Sequence, residues 1–191
     1  CLQQYNLSFN GWQEVALGHK KDTHTYLSQH AAGINSWKTV PEWKEDEIPY
    51  QIANNGYPVI LCNVNNFYLD LAYDAHPDEP GHFWGGYVDE SKAFSMLPFD
   101  VYRSSRTDMA VEISSAGKGK TALTASGRKQ IKGVQAQLFA ETIRGFQWVE
   151  YYMFPKVMGL VERGWNAHPD WETLSGVAEQ QAFDRDLALF Y

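Results

Sequence analysis

The sequence predicts a parallel α/β fold, and two observations support this prediction. Short apolar segments typical of β-strands alternate with helix-like or linking segments along the chain. In addition, Trp12, Trp37 and Cys62, which belong to the first three of these apolar segments, are 25 positions apart. Because a βαβ unit takes about 30 residues, this spacing is roughly that of one βα unit.

Four segments are predicted as strands. The segment 58–64 is a continuous apolar run, as expected for a strand buried on both faces of a parallel sheet. A short helix is predicted over 45–55, because Gly56 follows it and glycine is a favourable residue after the last turn of a helix. The other three predicted strands, each taken with its exit loop, are 7–15, 32–40 and 131–139.

A long connection separates the third and fourth predicted strands, from about residue 72 to residue 130. Connections of this length are usually functional or mobile, and in a barrel enzyme they lie on the active-site face. The C-terminal region is predicted to be helical. A nearly all-round apolar stretch over 148–165 contains Pro155, which implies a kink or a helix start, and a second helix over 171–191 has an apolar stripe. Both are predicted to be packing elements.

Four strands cannot close a barrel by themselves, since closure in this architecture takes about eight strands. The sequence therefore predicts about half of a (β/α)8 TIM barrel, beginning in its middle. Residues 1–171 are expected to form this half-barrel, and residues 172–191 a C-terminal helix that packs on it. The unpaired outer strands would favour self-association.

Composition excludes several classes of function. The formal net charge of −7 and the pI near 5.3 disfavour nucleic-acid and membrane-surface partners. No apolar run approaches the roughly 18 residues that a membrane span needs. The two cysteines and the histidines His19, His24 and His30 lack metal-ligand spacing, so no metal and no cofactor is expected.

Polar and aromatic residues recur where the predicted strands end. Tyr68 and Asp70, two positions apart, should point the same way from an extended chain, and Phe139 and Glu141 repeat the spacing. Either carboxylate could instead cap a following helix, and an isolated tryptophan is more often part of a core than of a site. Aromatic residues at the ends of four successive strands suggest a sugar site, where rings stack on a pyranose and carboxylates accept hydrogen bonds from its hydroxyls.

Five motifs resemble, in order and at barrel spacing, those of the β-N-acetylhexosaminidases of glycoside hydrolase family 20. The resemblance extends from about Leu7 to Trp171 and is strongest to the bacterial chitobiase branch. It implies that the four strands are about strands 5–8 of the barrel, with the long connection as an insertion after the seventh. The motifs are Gly11-Trp12-Gln13-Glu14, Asn35-Ser36-Trp37, Tyr68-Leu69-Asp70, Trp84-Gly85 and the run from Gly133 to Thr142 that contains Phe139-Ala140-Glu141.

The resemblance implies a retaining hydrolysis in which the 2-acetamido oxygen of the substrate, and no enzyme nucleophile, attacks the anomeric carbon. Tyr68 would orient that acetamide. Phe139 stands where the family usually has tryptophan, so the apolar wall there is smaller. The implied substrate-binding residues are Trp12 and Trp37 around the acetamide, Asp70 and Glu141 on the hydroxyls of the terminal sugar, Phe139 on the wall, and Trp84 under the next sugar.

The acid catalyst of the family is a Glu preceded by Asp in a His-x-Gly-Gly-Asp-Glu-like motif, which is absent from this sequence. The three Asp-Glu pairs that do occur are predicted to be solvated carboxylates. We therefore expect an exo-acting enzyme whose 191 residues alone are inactive, acting on β-linked N-acetylhexosaminide glycans in a periplasm, a lysosome or outside the cell. Alternatives are a non-catalytic amino-sugar-binding fragment and a different barrel glycosidase. The pairs are Asp46-Glu47, Asp78-Glu79 and Asp89-Glu90.

Overall fold

The computed structural model describes residues 2–17, 31–104 and 117–191. Within this part of the chain, four strands form one sheet in the sequential order β1-β2-β3-β4, and every neighbouring pair is parallel. The predicted parallel α/β fold is therefore confirmed. The strands are β1 (Phe9–Trp12), β2 (Ala31–Ser36), β3 (Val59–Leu61) and β4 (Ile131–Val134).

The third strand is shorter than the predicted 58–64, because a one-turn helix, α3 (Val64–Phe67), follows it. The turn gives the buried amides of this segment hydrogen-bond partners, which buried polar groups require. The Asn65 side chain accepts a hydrogen bond from Thr39 Oγ1 at 2.7 Å, and Asn66 Nδ2 donates to the carbonyls of Lys92 and Ser104 at 2.9 and 3.0 Å. A straight strand would place these groups differently.

Strand pairing resumes after this turn. Tyr68 forms an isolated parallel bridge with Gln137, and the Leu69 N–H donates to the Gln137 carbonyl at 2.9 Å. The fourth strand, predicted over 131–139, is regular only to Val134, and Gln137 is its second point of contact with the neighbouring strand. Both strands thus reach the same C-terminal end of the sheet, each after an interruption in regular pairing.

Several short helices connect the strands. The predicted helix 45–55 is observed as α2, and Gly56 follows it with a positive φ of 88°, as expected for a residue after a helix end. The remaining helical segments before β4 are α1 (Glu14–Leu17), α2 (Ile48–Asn54), α4 (Glu90–Phe94), α5 (Ala125–Arg128) and single 3-10 turns at Leu2–Tyr5, Pro41–Trp43 and Val101–Arg103.

The C-terminal region is helical, as predicted. Pro155 separates α6 (Phe146–Met153) from α7 (Lys156–Trp165), because proline is compatible with a helix start but not with a helix interior. The second predicted helix begins later than expected, as α8 (Gly176–Phe190). The preceding segment Asp170–Thr173 is a 3-10 turn, and Trp171 within it is fully buried.

The core lies between the sheet and the helices. Gly159 of α7 packs directly on the backbone of α4, where an added Cβ would lie 2.5 Å from the Phe94 nitrogen. Glycine is needed there for the close approach of the two helices. No helix in the described ranges combines the length and the apolar character that crossing a membrane requires. The main core cluster includes Ile34, Ile52, Val59, Leu61, Phe67, Ala93 and Met96.

Candidate active site

A cavity of about 380 Å³ opens at the C-terminal ends of the strands. Working groups of parallel barrels lie at this end of the sheet. Six of the seven lining residues are side chains for which the sequence predicted a role in a sugar site, and the seventh is Glu14. The lining residues are Trp12, Glu14, Trp37, Tyr68, Trp84, Phe139 and Glu141.

Each strand contributes to the cavity at or just beyond its last residue. Trp12 is the last residue of β1, and Trp37 directly follows β2. Tyr68 lies at the bridge beyond α3, and Phe139 lies two residues beyond its bridge partner Gln137. Parallel strands end at one edge of a sheet, so residues far apart in sequence become neighbours here.

Aromatic rings surround Tyr68 on three sides. Its ring is nearly parallel to that of Trp37, with centroids 6.5 Å apart, and meets the Trp84 ring edge to face at 5.7 Å. Phe139 is closest, with centroids 5.3 Å apart. Trp84 comes from the long β3–β4 connection and is about half exposed. These rings present flat apolar faces of the kind that pack against a pyranose.

Burial makes the Tyr68 hydroxyl harder to ionise than an ordinary phenol. The pKa of Tyr68 is raised well above its usual value, chiefly by desolvation and further by the neighbouring Cys62, Asp70 and Glu14. The neutral phenol is the form that can donate a hydrogen bond. Tyr68 is therefore suited, at any pH near neutrality, to donate to an acceptor such as an amide oxygen in the cavity.

Three residues in or next to the cavity had no role assigned from the sequence. Glu14 lines the cavity, and its Oε1 accepts a hydrogen bond from Trp37 Nε1 at 3.0 Å. Gln13 is fully buried, and its Oε1 accepts from Ser36 Oγ, the Trp37 N–H and the Lys38 N–H at 2.9, 2.8 and 3.2 Å. The available signal was their position directly after Trp12.

The third is Trp43, from the 3-10 turn after β2. Its ring stacks on that of Trp84, with centroids 5.9 Å apart and planes inclined by only 10°, and meets Trp37 edge to face at 5.9 Å. A tryptophan in a short polar loop, Pro41-Glu42-Trp43-Lys44, was the signal that could have indicated it.

The chain from Tyr68 to Asp70 forms a turn, and not the extended segment on which the predicted common orientation of the two side chains was based. The Leu71 N–H donates to the Tyr68 carbonyl at 3.2 Å, so the chain turns between these residues. Asp70 is buried and absent from the cavity lining, and its Oδ1 accepts the Phe139 N–H at 3.1 Å. Burial raises the pKa of this carboxyl, which the hydrogen bond partly opposes.

None of the three Asp-Glu pairs is among the residues that line the cavity. Asp46 forms an ion pair with Lys120, Asp78 is almost fully exposed, and Asp89 accepts the Lys92 N–H at the start of α4. Residues 2–17, 31–104 and 117–191 contain no group of three or more potential metal ligands. His19, His24 and His30 lie outside the described residues, as do residues 105–116 of the long connection between the third and fourth predicted strands.

The fold and this cavity define a parallel α/β domain with aromatic rings and carboxylates at the C-terminal ends of its strands. The family model of glycosyl hydrolase family 20, catalytic domain, matches residues 1–168. The chain belongs to this family, which confirms the resemblance deduced from its motifs. At the family level, its relatives are chitobiases and β-hexosaminidases.

Two relatives show the extent of the similarity. A β-hexosaminidase of Vibrio vulnificus is 30% identical over 175 residues, which are 90% of this chain and 20% of that protein. The N,N'-diacetylchitobiase of Vibrio harveyi is 28% identical over 166 residues, or 86% of this chain and 18% of that protein. The chain therefore spans about a fifth of the length of these relatives.

Solved structures show the same fold. The family 20 exo-β-N-acetylglucosaminidase of Vibrio harveyi, in complex with N-acetylglucosamine, superposes with a TM-score of 0.59 at 21% identity. This superposition covers 99% of the chain and 24% of the solved protein. The β-hexosaminidase of Streptomyces plicatus superposes with a TM-score of 0.60 at 23% identity, over 98% of this chain and 32% of that one.

Proposed function

We propose that this chain is part of an exo-acting β-N-acetylhexosaminidase and that its cavity binds the terminal N-acetylhexosamine of a β-linked glycan. One observation supports this most strongly. A protonated Tyr68 hydroxyl lies among the rings of Trp37, Trp84 and Phe139, in a cavity that also contains the Glu141 carboxylate. This combination offers a donor for an amide oxygen, apolar faces for a pyranose and an acceptor for its hydroxyls.

In the proposed reaction, the acetamide oxygen of the substrate attacks the anomeric carbon as the bond to the leaving oxygen breaks. The leaving oxygen takes a proton from an acid catalyst, and water then opens the cyclic intermediate with retention of configuration. Tyr68 donates its hydroxyl proton in a hydrogen bond to the acetamide and orients it for attack. Trp12 and Trp37 enclose the acetamide, and Trp84 supports the sugar on the leaving side.

The two carboxylates differ in how directly they can contact the sugar. Glu141 lines the cavity and is placed to accept a hydrogen bond from a sugar hydroxyl. Asp70 uses Oδ1 for the Phe139 N–H, so its proposed contact with a sugar hydroxyl would use the other oxygen, Oδ2. We therefore propose that Glu141 contributes more to sugar affinity than Asp70.

We propose further that the four strands are strands 5–8 of an eight-stranded barrel, with the β3–β4 connection as the insertion after the seventh. The acid catalyst would then be supplied from outside these 191 residues, which alone would not turn over substrate. Supporting this, no Asp-Glu pair lines the cavity, and the relatives are about five times longer. The substrate class suggests a periplasmic, lysosomal or extracellular location.

The test separates binding from hydrolysis. The tryptophan fluorescence of the 191-residue chain is expected to show a saturable change on titration with N-acetylglucosamine. Glucose at the same concentrations is expected to cause no saturable change. Tyr68→Phe, which keeps the ring and removes the donor, should weaken N-acetylglucosamine binding about tenfold, which corresponds to about 1.4 kcal/mol for a lost hydrogen bond. Equal responses to both sugars would contradict the proposed acetamide pocket.

An aryl β-N-acetylglucosaminide provides the hydrolysis arm. We expect two results: the folded 191-residue chain shows no turnover, and the full-length protein that contains it does. A second candidate, an amino-sugar-binding module without hydrolytic activity, is favoured by the lack of an Asp-Glu pair at the cavity. It predicts binding without turnover in both proteins. Turnover by the chain alone, abolished by Asp78→Asn or Glu79→Gln, would show that the acid lies within it.

A further inference from the structure

A buried lysine lies behind the cavity. Lys156, the first residue of α7, is completely shielded from solvent. Its Nζ donates to the carbonyls of Leu69 and Leu71 at 2.9 and 2.7 Å and lies 3.7 Å from the centroid of the Tyr73 ring. An ammonium group has three N–H donors, and here it contacts two carbonyl acceptors and one aromatic face.

The two carbonyls belong to the turn that follows the cavity residue Tyr68. This turn is closed by the Leu71 N–H donating to the Tyr68 carbonyl, and it joins the neighbouring strand through the Leu69 N–H and the Gln137 carbonyl. Asp70, between the two carbonyls, accepts the Phe139 N–H. The conformation of this single turn therefore sets the position of two rings of the cavity.

We propose that Lys156 is a positioning residue for the sugar site, which acts by fixing the Tyr68–Leu71 turn and, through Asp70, the backbone at Phe139. The effect of Lys156 on sugar binding rests on the proposed function, whereas the effect of Lys156 on the turn does not. Lys156 does not itself line the cavity; it bonds to the backbone carbonyls of the turn and also interacts electrostatically with the Asp70 carboxylate. α7 is thereby coupled to the turn that follows the cavity residue Tyr68.

The charges around Lys156 are consistent with an ammonium at neutral pH. Burial lowers the pKa of Lys156 to about 8, and the nearby carboxylates oppose this shift. The Tyr152 ring lies on a further side, with Nζ 5.4 Å from its centroid. These carboxylates are Glu79, Asp70, Asp89 and Glu90.

Lys92 provides a matched control. It is buried in α4, burial lowers its pKa to about 8 as well, and its Nζ donates to the Tyr87 carbonyl at 2.5 Å. Lys92 thus has the chemistry of Lys156 but bonds to a different segment. A change at Lys92 tests the general effect of removing a buried lysine from this domain.

The experiment compares Lys156→Met, Lys156→Arg and Lys92→Met in the 191-residue chain. Lys156→Met keeps the length of the side chain and removes its donors, so amide exchange over residues 69–71 and at Phe139 should become at least about tenfold faster. N-acetylglucosamine binding, measured by tryptophan fluorescence, should weaken about tenfold. Lys156→Arg, which keeps charge and donors, should restore both at least in part.

Lys92→Met is expected to lower the unfolding temperature while leaving exchange at 69–71 and sugar affinity unchanged. Unaltered exchange at 69–71 in Lys156→Met, or an equal loss of sugar affinity in both methionine variants, would overturn the proposal. If the unsubstituted chain does not bind N-acetylglucosamine, the proposed function is wrong, and the exchange data alone decide the role of Lys156. Should Lys156→Met not fold, Lys156→Gln replaces it, and unaltered exchange at 69–71 in that variant is again the contradicting result.

Discussion

Glu14 illustrates how one carboxylate can serve both the shape and the chemistry of a cavity. Its Oε1 accepts the Trp37 indole N–H at 3.0 Å while the side chain lines the cavity. Glu14→Ala should release the indole and weaken N-acetylglucosamine binding a few-fold, since a hydrogen bond of this kind contributes about 1 kcal/mol. Fluorescence titration measures the change. Glu14→Gln keeps an acceptor and should bind nearly as the original chain does; an equal loss in both variants would show that the charge, not the hydrogen bond, matters.

Phe139 leaves room in the wall of the cavity. Its side chain is 37% exposed, and its ring lies against Tyr68. Phe139→Trp adds apolar area and an indole N–H, so we expect N-acetylglucosamine to bind a few-fold more tightly, a gain of about 0.5–1 kcal/mol. Calorimetric titration provides the measurement. Phe146→Trp, at a more exposed position outside the cavity lining, is the control and should not alter affinity. Weaker binding by Phe139→Trp would mean that the larger ring occupies the space of the sugar.

Two buried lysines give the stability of the domain a particular dependence on pH. Burial lowers the pKa of both Lys156 and Lys92 from 10.5 to about 8 in the folded state. Below pH 8 both states are protonated and the effect is constant. Above it, the unfolded state binds more protons than the folded one, so the free energy of unfolding should rise with pH.

From pH 8 to about 9.5, below the ionisation of unfolded tyrosines, the rise amounts to at most about 2 kcal/mol for each lysine. Cys62 offsets a small part of this rise near pH 9, because burial raises the pKa of its thiol from 9.0 to about 12 and the unfolded state therefore loses that proton first. Urea unfolding across this range measures it. Lys156→Met should remove about half of the rise and Lys92→Met the other half. A free energy of unfolding that falls over this range in the unsubstituted chain would contradict the lowered pKa values.

At the scale of elements, Gln13 connects the ends of two strands. One buried oxygen of this residue accepts hydrogen bonds from Ser36 Oγ and from the N–H groups of Trp37 and Lys38, just beyond β2. Gln13→Met keeps the approximate shape of the side chain but leaves three donors without an acceptor. The expected cost is about 3 kcal/mol in the free energy of unfolding, since each unsatisfied buried group costs about 1–3 kcal/mol.

Chemical denaturation checks this value, with Gln180→Met as the control. Gln180 is an exposed α8 residue that bonds to Asp184 one turn away, and such surface pairs contribute little. A cost below about 1 kcal/mol for Gln13→Met would show that water replaces the glutamine. In that case Gln13 would not fix the ends of β1 and β2 relative to each other.

The sequence predicted those elements whose signals are local. The 25-residue spacing of Trp12, Trp37 and Cys62 gave the parallel strands, Gly56 marked the end of α2, and Pro155 marked the boundary between two helices. The break after β3 was not predicted. It depends on partners for the asparagine amides that come from distant segments, including the carbonyl groups of Lys92 and Ser104.

The site was predicted in composition better than in geometry. Aromatic residues at strand ends indicated four of the lining side chains, because parallel strands bring their ends together, whereas the roles of Trp84 and Glu141 came from the family resemblance. The turn from Tyr68 to Leu71, which the Leu71 N–H closes, was not predicted, because the sequence was interpreted as an extended chain there. Lys156, far along the chain in an apolar helix, had no sequence signal, since its function depends on two backbone carbonyls that only the fold brings to it.

At the scale of the whole molecule, the two inner strands of the sheet pair with a neighbour on both sides, whereas each outer strand pairs on one side only within the described residues. The inner strand β3 is largely buried. The outer strand β4 pairs only with β3 within the described residues, and its Lys132 and Gly133 are exposed. An exposed row of backbone N–H and C=O groups favours pairing with another chain. We therefore expect the 191-residue chain to self-associate, and sedimentation velocity over a range of concentrations should show it.

Gly133→Lys tests whether the β4 edge is responsible. A Cβ at Gly133 meets no heavy atom within 4 Å, so a lysine fits there without strain, and a charged edge residue discourages strand addition. The substitution makes the net charge of −7 less negative, which by itself would reduce repulsion between copies and favour association. A loss of association therefore cannot come from net charge. Val177→Lys, on the exposed side of α8, makes the same change of charge away from the sheet and should leave association unaltered. If both variants associate like the original chain, the contact between the copies does not involve the β4 edge.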